Sequence, residues 1–214
     1  MLSNIDAAIF DLDGTLVDSM WIWEQIDKDY FHHLGIEIPK NLKDEINHLS
    51  FNETAVYFKS KFNISDSVDT ILNQWNSMAF EHYSKNVSLK PGAFKFLKYL
   101  KNNNIKISLA TSNSNELLTA ALKCTNIYDF FDNITTTNEV KYGKNHPDVY
   151  LLASKSLNVS PNRCLVFEDI LEAVRGAKLA NMKVCAVYDK LSDYNKDKII
   201  SEADYYIKDF NELM

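Results

Sequence analysis

The sequence predicts an α/β fold, a doubly wound parallel sheet interrupted by an inserted all-helical domain. From residue 90 onward, short apolar runs that favour β-structure alternate with amphipathic helical patterns, which is typical of a parallel sheet with helices on both faces. Between residues 18 and 87 only helical periodicity is found, although an apolar strand precedes this block. We therefore predict a core of residues 1–16 and 87–214, and an inserted helical domain over residues 17–86.

The elements of the first half follow from the spacing of apolar side chains. The first strand, at residues 7–10, is apolar throughout, as a strand buried on both faces of a sheet requires. Gly35 is a typical end for the helix that follows it. Helices of the inserted block are predicted over residues 20–34, 40–49, 52–61 and 65–83.

The second half alternates between the two patterns. Strands are predicted at residues 105–111, 133–137, 164–167, 183–187 and 205–207. Helices are predicted from Pro91-Gly92 onward and over residues 115–124, 148–157, 170–180 and 192–203. Right-handed crossovers would bring the carboxyl ends of the parallel strands to one edge of the sheet, where such sheets bind ligands.

Composition excludes several classes of partner. The net charge of the 214 residues is −6 and no basic run stands out, so we expect neither a nucleic acid nor a membrane partner. No stretch approaches the length of a membrane span, and the N-terminus lacks the pattern of a signal peptide. Cys124, Cys164 and Cys185 are scattered without metal-binding spacing and are interpreted as reduced thiols. We expect a cytoplasmic monomer.

Two aspartates follow the first strand directly. Asp11 and Asp13 are two residues apart, and on an extended backbone such side chains point to the same side. Two carboxylates that close need a cation or a proton between them. An isolated Asp-x-Asp-Gly is more often a simple β-turn, so this motif needs support from the rest of the chain.

Three further strand ends carry polar groups. Thr111-Ser112-Asn113 follows one strand, Lys144 lies in the loop after the next, and Glu168-Asp169 ends a third. Taken singly, these are explained by a helix N-cap, a solvated lysine and favourable charge at a helix start. Those explanations do not account for one sheet edge that carries all the parts of a phosphoryl-transfer site.

The residue types at this edge suit magnesium and phosphate. Hard oxygen ligands select Mg²⁺, with Asp11 and Asp169 as the first candidates and Glu168 as a weaker or outer ligand. The Thr111 hydroxyl, nearby backbone N–H groups and the Lys144 ammonium would bind a phosphoryl group. One aspartate can then attack phosphorus to form an aspartyl-phosphate, and the other can act as general acid and base.

The four motifs, in this order, resemble those of the haloacid dehalogenase superfamily of phosphatases, in its β-phosphoglucomutase-like group. The matching segments are Asp11-Leu-Asp13-Gly-Thr15, Thr111-Ser-Asn113, Gly143-Lys144 with Pro147-Asp148, and Phe167-Glu168-Asp169. The resemblance implies a Rossmann-like doubly wound parallel sheet with an inserted all-helical cap domain that closes over the site. The chain departs from the family's usual residues at four positions. Ile170 stands where the family often has serine, Ala173 and Asn181 where it often has glycine, and Asn145 where it often has proline.

The resemblance also assigns roles to individual residues. It implies that Asp11 is the nucleophile, and that Asp13 is the general acid and base and binds Mg²⁺ through its backbone carbonyl. Thr111, Ser112, Asn113 and Lys144 would bind phosphate, and the metal site would comprise Asp11, Asp13, Glu168 and Asp169. The cofactor would be Mg²⁺ and the substrate a small phosphate ester.

The inserted block bears on the substrate. It contains no arginine, whereas the family's mutases hold a second phosphate partly through a cap arginine. We therefore predict a phosphatase of a small phosphorylated metabolite, such as a sugar or nucleoside phosphate. A phosphosugar mutase of the β-phosphoglucomutase type is the alternative, with Lys43, Lys59 or Lys61 replacing the arginine.

The inserted block also supplies candidate substrate contacts, namely Trp23, Asn47 and His48. Most aromatic residues of the block are expected to form its core, because they recur at helical spacing. A receiver-like signalling module, which also uses a phospho-aspartate, is a third interpretation. The length of the chain and the inserted helices argue against it.

Overall fold

A computed structural model describes residues 1–39, 42–46 and 51–214. The strands are β1 (Ala7–Phe10), β2 (Val17–Asp18), β3 (Ser88–Leu89), β4 (Lys106–Thr111), β5 (Asn133–Thr136), β6 (Cys164–Glu168), β7 (Lys183–Val187) and β8 (Tyr205–Ile207). The helices are α1 (Trp21–Leu34), α2 (Leu42–Ile46), α3 (Phe51–Lys61), α4 (Val68–Lys85), α5 (Ala93–Asn102), α6 (Asn115–Cys124), α7 (Asp148–Ser156), α8 (Leu171–Leu179) and α9 (Lys196–Glu202).

The main sheet is parallel throughout. Its strand order is β5-β4-β1-β6-β7-β8, so that β1 lies between β4 and β6. Ala7 is in register with Lys106 on one side and with Cys164 on the other. Every residue of β1 and β6 is buried, which explains why both strands are apolar except for Glu168 at the end of β6. The predicted α/β fold with a doubly wound parallel sheet is confirmed.

Helices cover both faces of this sheet. On one face Phe10 stacks on Phe167 with ring centroids 4.6 Å apart, and Phe96 of α5 packs against both rings. On the other face Ile9 and Val166 belong to one apolar cluster with buried side chains of α7, α8 and α9. The two apolar layers keep water from the strands and hold the carboxyl edge of the sheet rigid.

Helices α1 to α4 follow β1 and form the inserted unit, called the helical cap below. Its interior is aromatic, with Phe58 in contact with Phe31 and with Trp75, each at 5.1 Å between ring centroids. Helix α4 also packs along α6, so the cap lies against the sheet domain. No helix in the described part of the chain combines the length and the apolar character that crossing a bilayer requires.

The two connections to the cap pair with each other. Val17 is in register with Leu89, and Asp18 with Ser88, in an antiparallel pair formed by β2 and β3. No strand is predicted here from the sequence, because two residues are too short to show a periodic pattern. The division at residues 16/17 and 86/87 stays a prediction.

Helix ends differ from the predicted ones where side chains cap the backbone. Helix α4 begins at Val68, later than predicted, because the Ser67 hydroxyl accepts a hydrogen bond from the Thr70 N–H at 3.1 Å. The predicted helix over residues 192–203 is a 3₁₀ segment followed by α9; the Asp189 side chain accepts a hydrogen bond from the Leu191 N–H at the start of the 3₁₀ segment. The predicted helix over residues 40–49 is described only as α2.

Asp27 is a half-buried carboxyl on α1 whose titration bears on stability. Burial, with a contribution from the Glu24 carboxylate, raises the pKa of Asp27 to about 6. The pKa of Asp27 is therefore higher in the folded chain than in the unfolded chain. The contribution of Asp27 to the stability of the fold is then fully present below about pH 4 and is lost as the pH rises through about 6.

We expect Asp27→Asn to raise the free energy of unfolding by about 1–2 kcal/mol at about pH 8, after a discount for partial exposure, and to change it little near pH 4. Urea unfolding at both pH values measures this difference. Asp29→Asn, at an exposed position of the same helix, is the control and should have little effect. An equal shift at both pH values would contradict the prediction.

Candidate active site

Three carboxylates meet at the carboxyl edge of the sheet. The Asp11 N–H donates a hydrogen bond to the Phe167 carbonyl at 3.0 Å, so the chain stays paired with β6 just past the end of β1. Oxygen atoms of Asp11, Glu168 and Asp169 lie within 4.8 Å of one another. Their side chains are buried, with exposed fractions of 6%, 0% and 3%. This acidic cluster is built from the ends of two neighbouring strands.

Lys144 is the counter-charge of the acidic cluster. Its buried ammonium donates to the Asp11 carboxylate and to Glu168 Oε1, the latter at 2.7 Å. The Tyr150 hydroxyl donates to the same Glu168 oxygen at 2.8 Å. Glu168 Oε2, in contrast, is buried and has no hydrogen-bond partner in the described part of the chain. Three carboxylates against one ammonium, with one oxygen unpaired, form a donor set that fits a divalent cation.

The pKa values reflect this crowding. Burial raises the pKa of Asp11 to about 7, and Glu168 adds to the rise while Lys144 opposes it. Burial, together with Asp11 and Glu168, also raises the pKa of Asp169 well above its usual value. Burial alone would lower the pKa of Lys144, but the Asp11 and Glu168 carboxylates raise it, so the ammonium stays charged. A bound cation would favour the ionised aspartates.

Asp13 lies in a separate network. Its Oδ1 accepts hydrogen bonds from Ser19 at 2.6 Å and from the Tyr83 hydroxyl at 2.5 Å, and its Oδ2 accepts one from Asn113 at 2.9 Å. The acidic cluster comprises Asp11, Glu168 and Asp169, and the Asp13 side chain lies beside it, so the expected cation or proton between the Asp11 and Asp13 carboxylates stays a prediction. The extended backbone ends at Phe10, and the chain turns through Gly14 at φ 82°, so strand alternation no longer applies.

The Asp13 carboxylate is held by three uncharged donors, namely Ser19, Tyr83 and Asn113. It lies close to Asp11, the candidate nucleophile. Its charge still contributes to the raised pKa of Asp11. Burial and the nearby Asp13 carboxylate raise the pKa of the Tyr83 phenol, so this hydroxyl keeps its proton. The metal contact implied for Asp13 was a backbone one, and it stays a prediction.

The end of β4 and the segment after it reach the Asp13 network through Asn113. Thr111 is buried, and its hydroxyl oxygen accepts a hydrogen bond from the Asn113 N–H at 3.0 Å. Ser112 is exposed. The N-cap of α6 is Ser114, which accepts from the Leu117 N–H at 3.3 Å. The explanation of Thr111-Ser112-Asn113 as a helix N-cap is therefore wrong, because the residue that caps α6 is Ser114.

The candidate substrate contacts are not brought to this edge by any described interaction. Trp23 is partly buried in the cap and contacts Phe51, with ring centroids 5.5 Å apart. Asn47, His48 and the side chain of Lys43 lie outside the described residues. The role of Trp23 stays a prediction.

Several contacts of the site were missed by sequence reasoning. The hydroxyls of Thr15 and Ser192 donate to Asp169 at 3.2 Å and 3.4 Å, Tyr150 binds Glu168, and Tyr83 and Ser19 bind Asp13. No local pattern marks Tyr83, which is 70 residues from Asp13.

Gly176 was also missed by sequence reasoning, although a glycine inside a predicted helix is a visible signal. It lies inside α8, where glycine is less favourable than alanine by about 1 kcal/mol. A Cβ atom here would collide with the backbone carbonyl of Lys144 and crowd that of His146. A glycine inside a helix often has such a packing reason. Gly176 therefore lets the loop that carries Lys144 rest directly on α8.

We expect Gly176→Ala to lower kcat/KM by about tenfold or more, because displacement of the Lys144 loop misplaces the ammonium. Overpacking should cost about 1–3 kcal/mol, which outweighs the helix propensity that alanine adds. The matched control is Gly143→Ala in the same loop, whose Cβ would meet only Asn145 Oδ1 at an ordinary 3.5 Å. Steady-state kinetics and thermal unfolding of both variants measure the difference. Equal behaviour of the two would contradict the prediction.

A parallel sheet with an inserted helical cap, and with buried carboxylates and a lysine at its carboxyl edge, defines an α/β enzyme class. Within it, the family model described as haloacid dehalogenase-like hydrolase matches residues 8–187, and the chain belongs to this family.

Individual relatives agree with the family. The chain is 27% identical over 199 residues to the phosphorylated carbohydrates phosphatase of Thermotoga maritima, covering 93% of this chain and 91% of that protein. It is 27% identical over 187 residues to hexitol phosphatase B of Escherichia coli K12, covering 86% and 84%. A solved structure, β-phosphoglucomutase from Clostridium difficile, superposes with a TM-score of 0.75 at 25% identity, covering 98% and 93%. The chain is a hydrolase that acts on phosphate monoesters.

Proposed function

We propose that this chain is a Mg²⁺-dependent phosphatase of a small phosphorylated metabolite, of the sugar phosphate or nucleoside phosphate class, acting through an aspartyl-phosphate on Asp11. The acidic cluster carries this proposal. Its buried Glu168 Oε2 is unpaired in the described part of the chain, and Lys144 spans Asp11 and Glu168 beside it. A structural ion-pair network would pair each buried oxygen.

The carboxylates of Asp11, Glu168 and Asp169, with the backbone carbonyl of Asp13, would hold Mg²⁺. When bound, Mg²⁺ offsets negative charge on the phosphoryl oxygens and on the aspartates. The Thr15 and Ser192 hydroxyls orient Asp169, and Tyr150 orients Glu168. These neighbours restrain the carboxylates in the positions from which they would act.

Asp11 and Asp13 carry out the chemical steps. The Asp11 carboxylate attacks phosphorus, the bond from phosphorus to the leaving oxygen breaks, and Asp13 gives its proton to that oxygen. Asp13 then takes a proton from a water molecule, whose oxygen attacks the aspartyl-phosphate. Inorganic phosphate leaves and Asp11 is regenerated. The Thr111 hydroxyl and the Lys144 ammonium hold the phosphoryl oxygens during both steps.

The relatives support a sugar-type substrate, since the names of two of them refer to phosphorylated carbohydrates and to hexitols. The sheet edge handles only the phosphoryl group, so specificity belongs to the cap. Trp23 is our candidate for an aromatic surface against the substrate, with Asn47 and His48 as polar contacts.

Phosphosugar mutase activity is the second candidate, because the superposed Clostridium difficile structure is a β-phosphoglucomutase. Two of the lysines that would have to replace a cap arginine have other partners. The Lys59 ammonium binds the Ile64 and Ser65 carbonyls at 3.1 Å and 3.3 Å. The Lys61 ammonium binds Glu45 and the Tyr57 hydroxyl. Both observations support the phosphatase.

A product assay separates the two activities. With glucose 6-phosphate, β-glucose 1-phosphate and sorbitol 6-phosphate as probes, we expect one inorganic phosphate released for each substrate consumed. Phosphorus NMR follows both phosphate and isomerised product. The control is added glucose 1,6-bisphosphate, which a mutase needs and a phosphatase does not. Isomerisation with little free phosphate would establish the mutase instead.

A further inference from the structure

The last turn of helix α4 reaches the Asp13 network. Buried side chains of this helix recur at Ile71, Trp75, Ala79 and Tyr83, four residues apart, and form one stripe along it. Tyr83 is the final member of the stripe and is fully buried. Its hydroxyl lies 2.5 Å from Asp13 Oδ1. Helix α4 thus ends with a polar contact to a candidate catalytic group.

Three segments of the chain together hold the Asp13 carboxylate. Ser19 comes from the connection before α1, Asn113 from the segment after β4, and Tyr83 from α4. Of these three donors, only Tyr83 belongs to a cap helix. Because both carboxylate oxygens are bound from different directions, rotation of the Asp13 side chain is restrained.

A second tyrosine of the cap shows that burial alone does not require such a contact. Tyr30 is also buried, and its ring meets Trp75 at 5.5 Å between centroids. Its hydroxyl has no hydrogen-bond partner in the described part of the chain. The cap therefore accommodates a buried tyrosine whose hydroxyl makes no hydrogen bond in the described part of the chain, so burial alone does not require the contact between Tyr83 and Asp13.

We propose that Tyr83 is a positioning residue that couples the orientation of the Asp13 carboxylate to the docking of helix α4 on the sheet domain. This inference rests on the proposed role of Asp13 as general acid and base. Helix α4 packs along α6, and α6 begins just after Asn113, so the docked α4 places Tyr83 next to the donor that the sheet domain itself supplies to Asp13. Undocking of α4 would remove the one Asp13 donor, among these three, that a cap helix supplies.

A phenol suits this role because Asp13 is protonated in one step of the proposed reaction and ionised in the next. A hydroxyl donates to an ionised carboxylate and accepts from a protonated one. Tyr83 therefore keeps its contact before and after Asp13 gives its proton to the leaving oxygen. The Asn113 amide nitrogen, in contrast, only donates.

Tyr83→Phe removes the hydroxyl and keeps the ring. The readout is kcat/KM for two probes, glycerol 2-phosphate, whose alkoxide needs a proton, and p-nitrophenyl phosphate, whose phenolate leaves without one. We expect a loss of about tenfold for glycerol 2-phosphate and of no more than about twofold for p-nitrophenyl phosphate. Tyr30→Phe is the matched control and should change neither. Equal losses for the two probes, or no loss, would overturn the proposal.

A double-mutant cycle tests whether Tyr83 acts through Asp13. Asp13→Asn should lower kcat/KM for glycerol 2-phosphate by about 10²-fold or more, and addition of Tyr83→Phe should then cost less than about twofold. A further tenfold loss in the Asp13→Asn background would show that Tyr83 acts elsewhere. Thermal unfolding of each variant confirms that it is folded.

The outcome also distinguishes this inference from the proposed function. If the wild-type protein hydrolyses neither probe, the proposed function fails and the role of Tyr83 fails with it. If Asp13→Asn discriminates between the probes and Tyr83→Phe does not, only the role of Tyr83 is refuted.

Discussion

Asp11→Asn is expected to lower kcat for p-nitrophenyl phosphate by at least about 10³-fold, because an amide cannot act as the nucleophile that forms the aspartyl-phosphate. The substitution keeps the shape of the side chain. Lys144 retains its contact with Glu168 Oε1 at 2.7 Å, so the loop that carries the lysine stays in place. Loss of activity should therefore not reflect loss of the fold.

Thermal stability gives an independent reading of the same variant. Burial raises the pKa of Asp11, which means that the folded chain resists its charge. Asp11→Asn removes that charge and should unfold at the same temperature as the wild-type protein or higher. The control is Asp6→Asn at the opposite end of β1, where Asp6 forms a partly exposed ion pair with Arg163. That variant should keep full activity, and retained activity in Asp11→Asn would exclude Asp11 as the nucleophile.

Removal of the divalent cation is expected to abolish turnover, with activity restored by added Mg²⁺. Lys144 is the one cation that contacts the acidic cluster in the described part of the chain, and it already serves both Asp11 and Glu168. A phosphoryl group would bring further negative charge against these carboxylates. We expect at least a ~10²-fold lower rate in a chelator.

Metal binding can be measured without turnover. Mg²⁺ should raise the unfolding temperature of the wild-type protein, since a ligand that binds only the folded state stabilises it. Asp169→Asn should weaken Mg²⁺ binding, measured by calorimetry, by about tenfold or more. Glu202→Gln, which alters a partly exposed ion pair with Arg175, is the control and should leave it unchanged. Full activity in the chelator would refute the metal requirement.

Elements with strong local patterns were predicted with accurate bounds. Helix α6, strand β7 and strand β8 begin and end where apolar periodicity places them. The start of α4 shifted because the Ser67 side chain caps the backbone there. Strands β2 and β3 were not predicted, because each has only two residues and forms only where the two connections to the cap pair with each other.

The sequence by itself determined which chemical groups stand at the carboxyl edge. Asp11, Thr111 and Glu168 lie at or just past the ends of parallel strands, and parallel strands end on one edge whatever their order. The acidic cluster and its lysine were therefore accessible from a linear pattern.

Only the tertiary structure decided how the two aspartates are separated. Asp13 leaves the acidic cluster because the chain turns at Gly14 and because Tyr83 and Asn113 bind the Asp13 carboxylate from 70 and 100 residues away. Likewise, Gly176 matters only because the Lys144 carbonyl approaches it from another loop. Contacts of this kind depend on how helices dock on the sheet, and packing between distant segments leaves no periodic trace in either one.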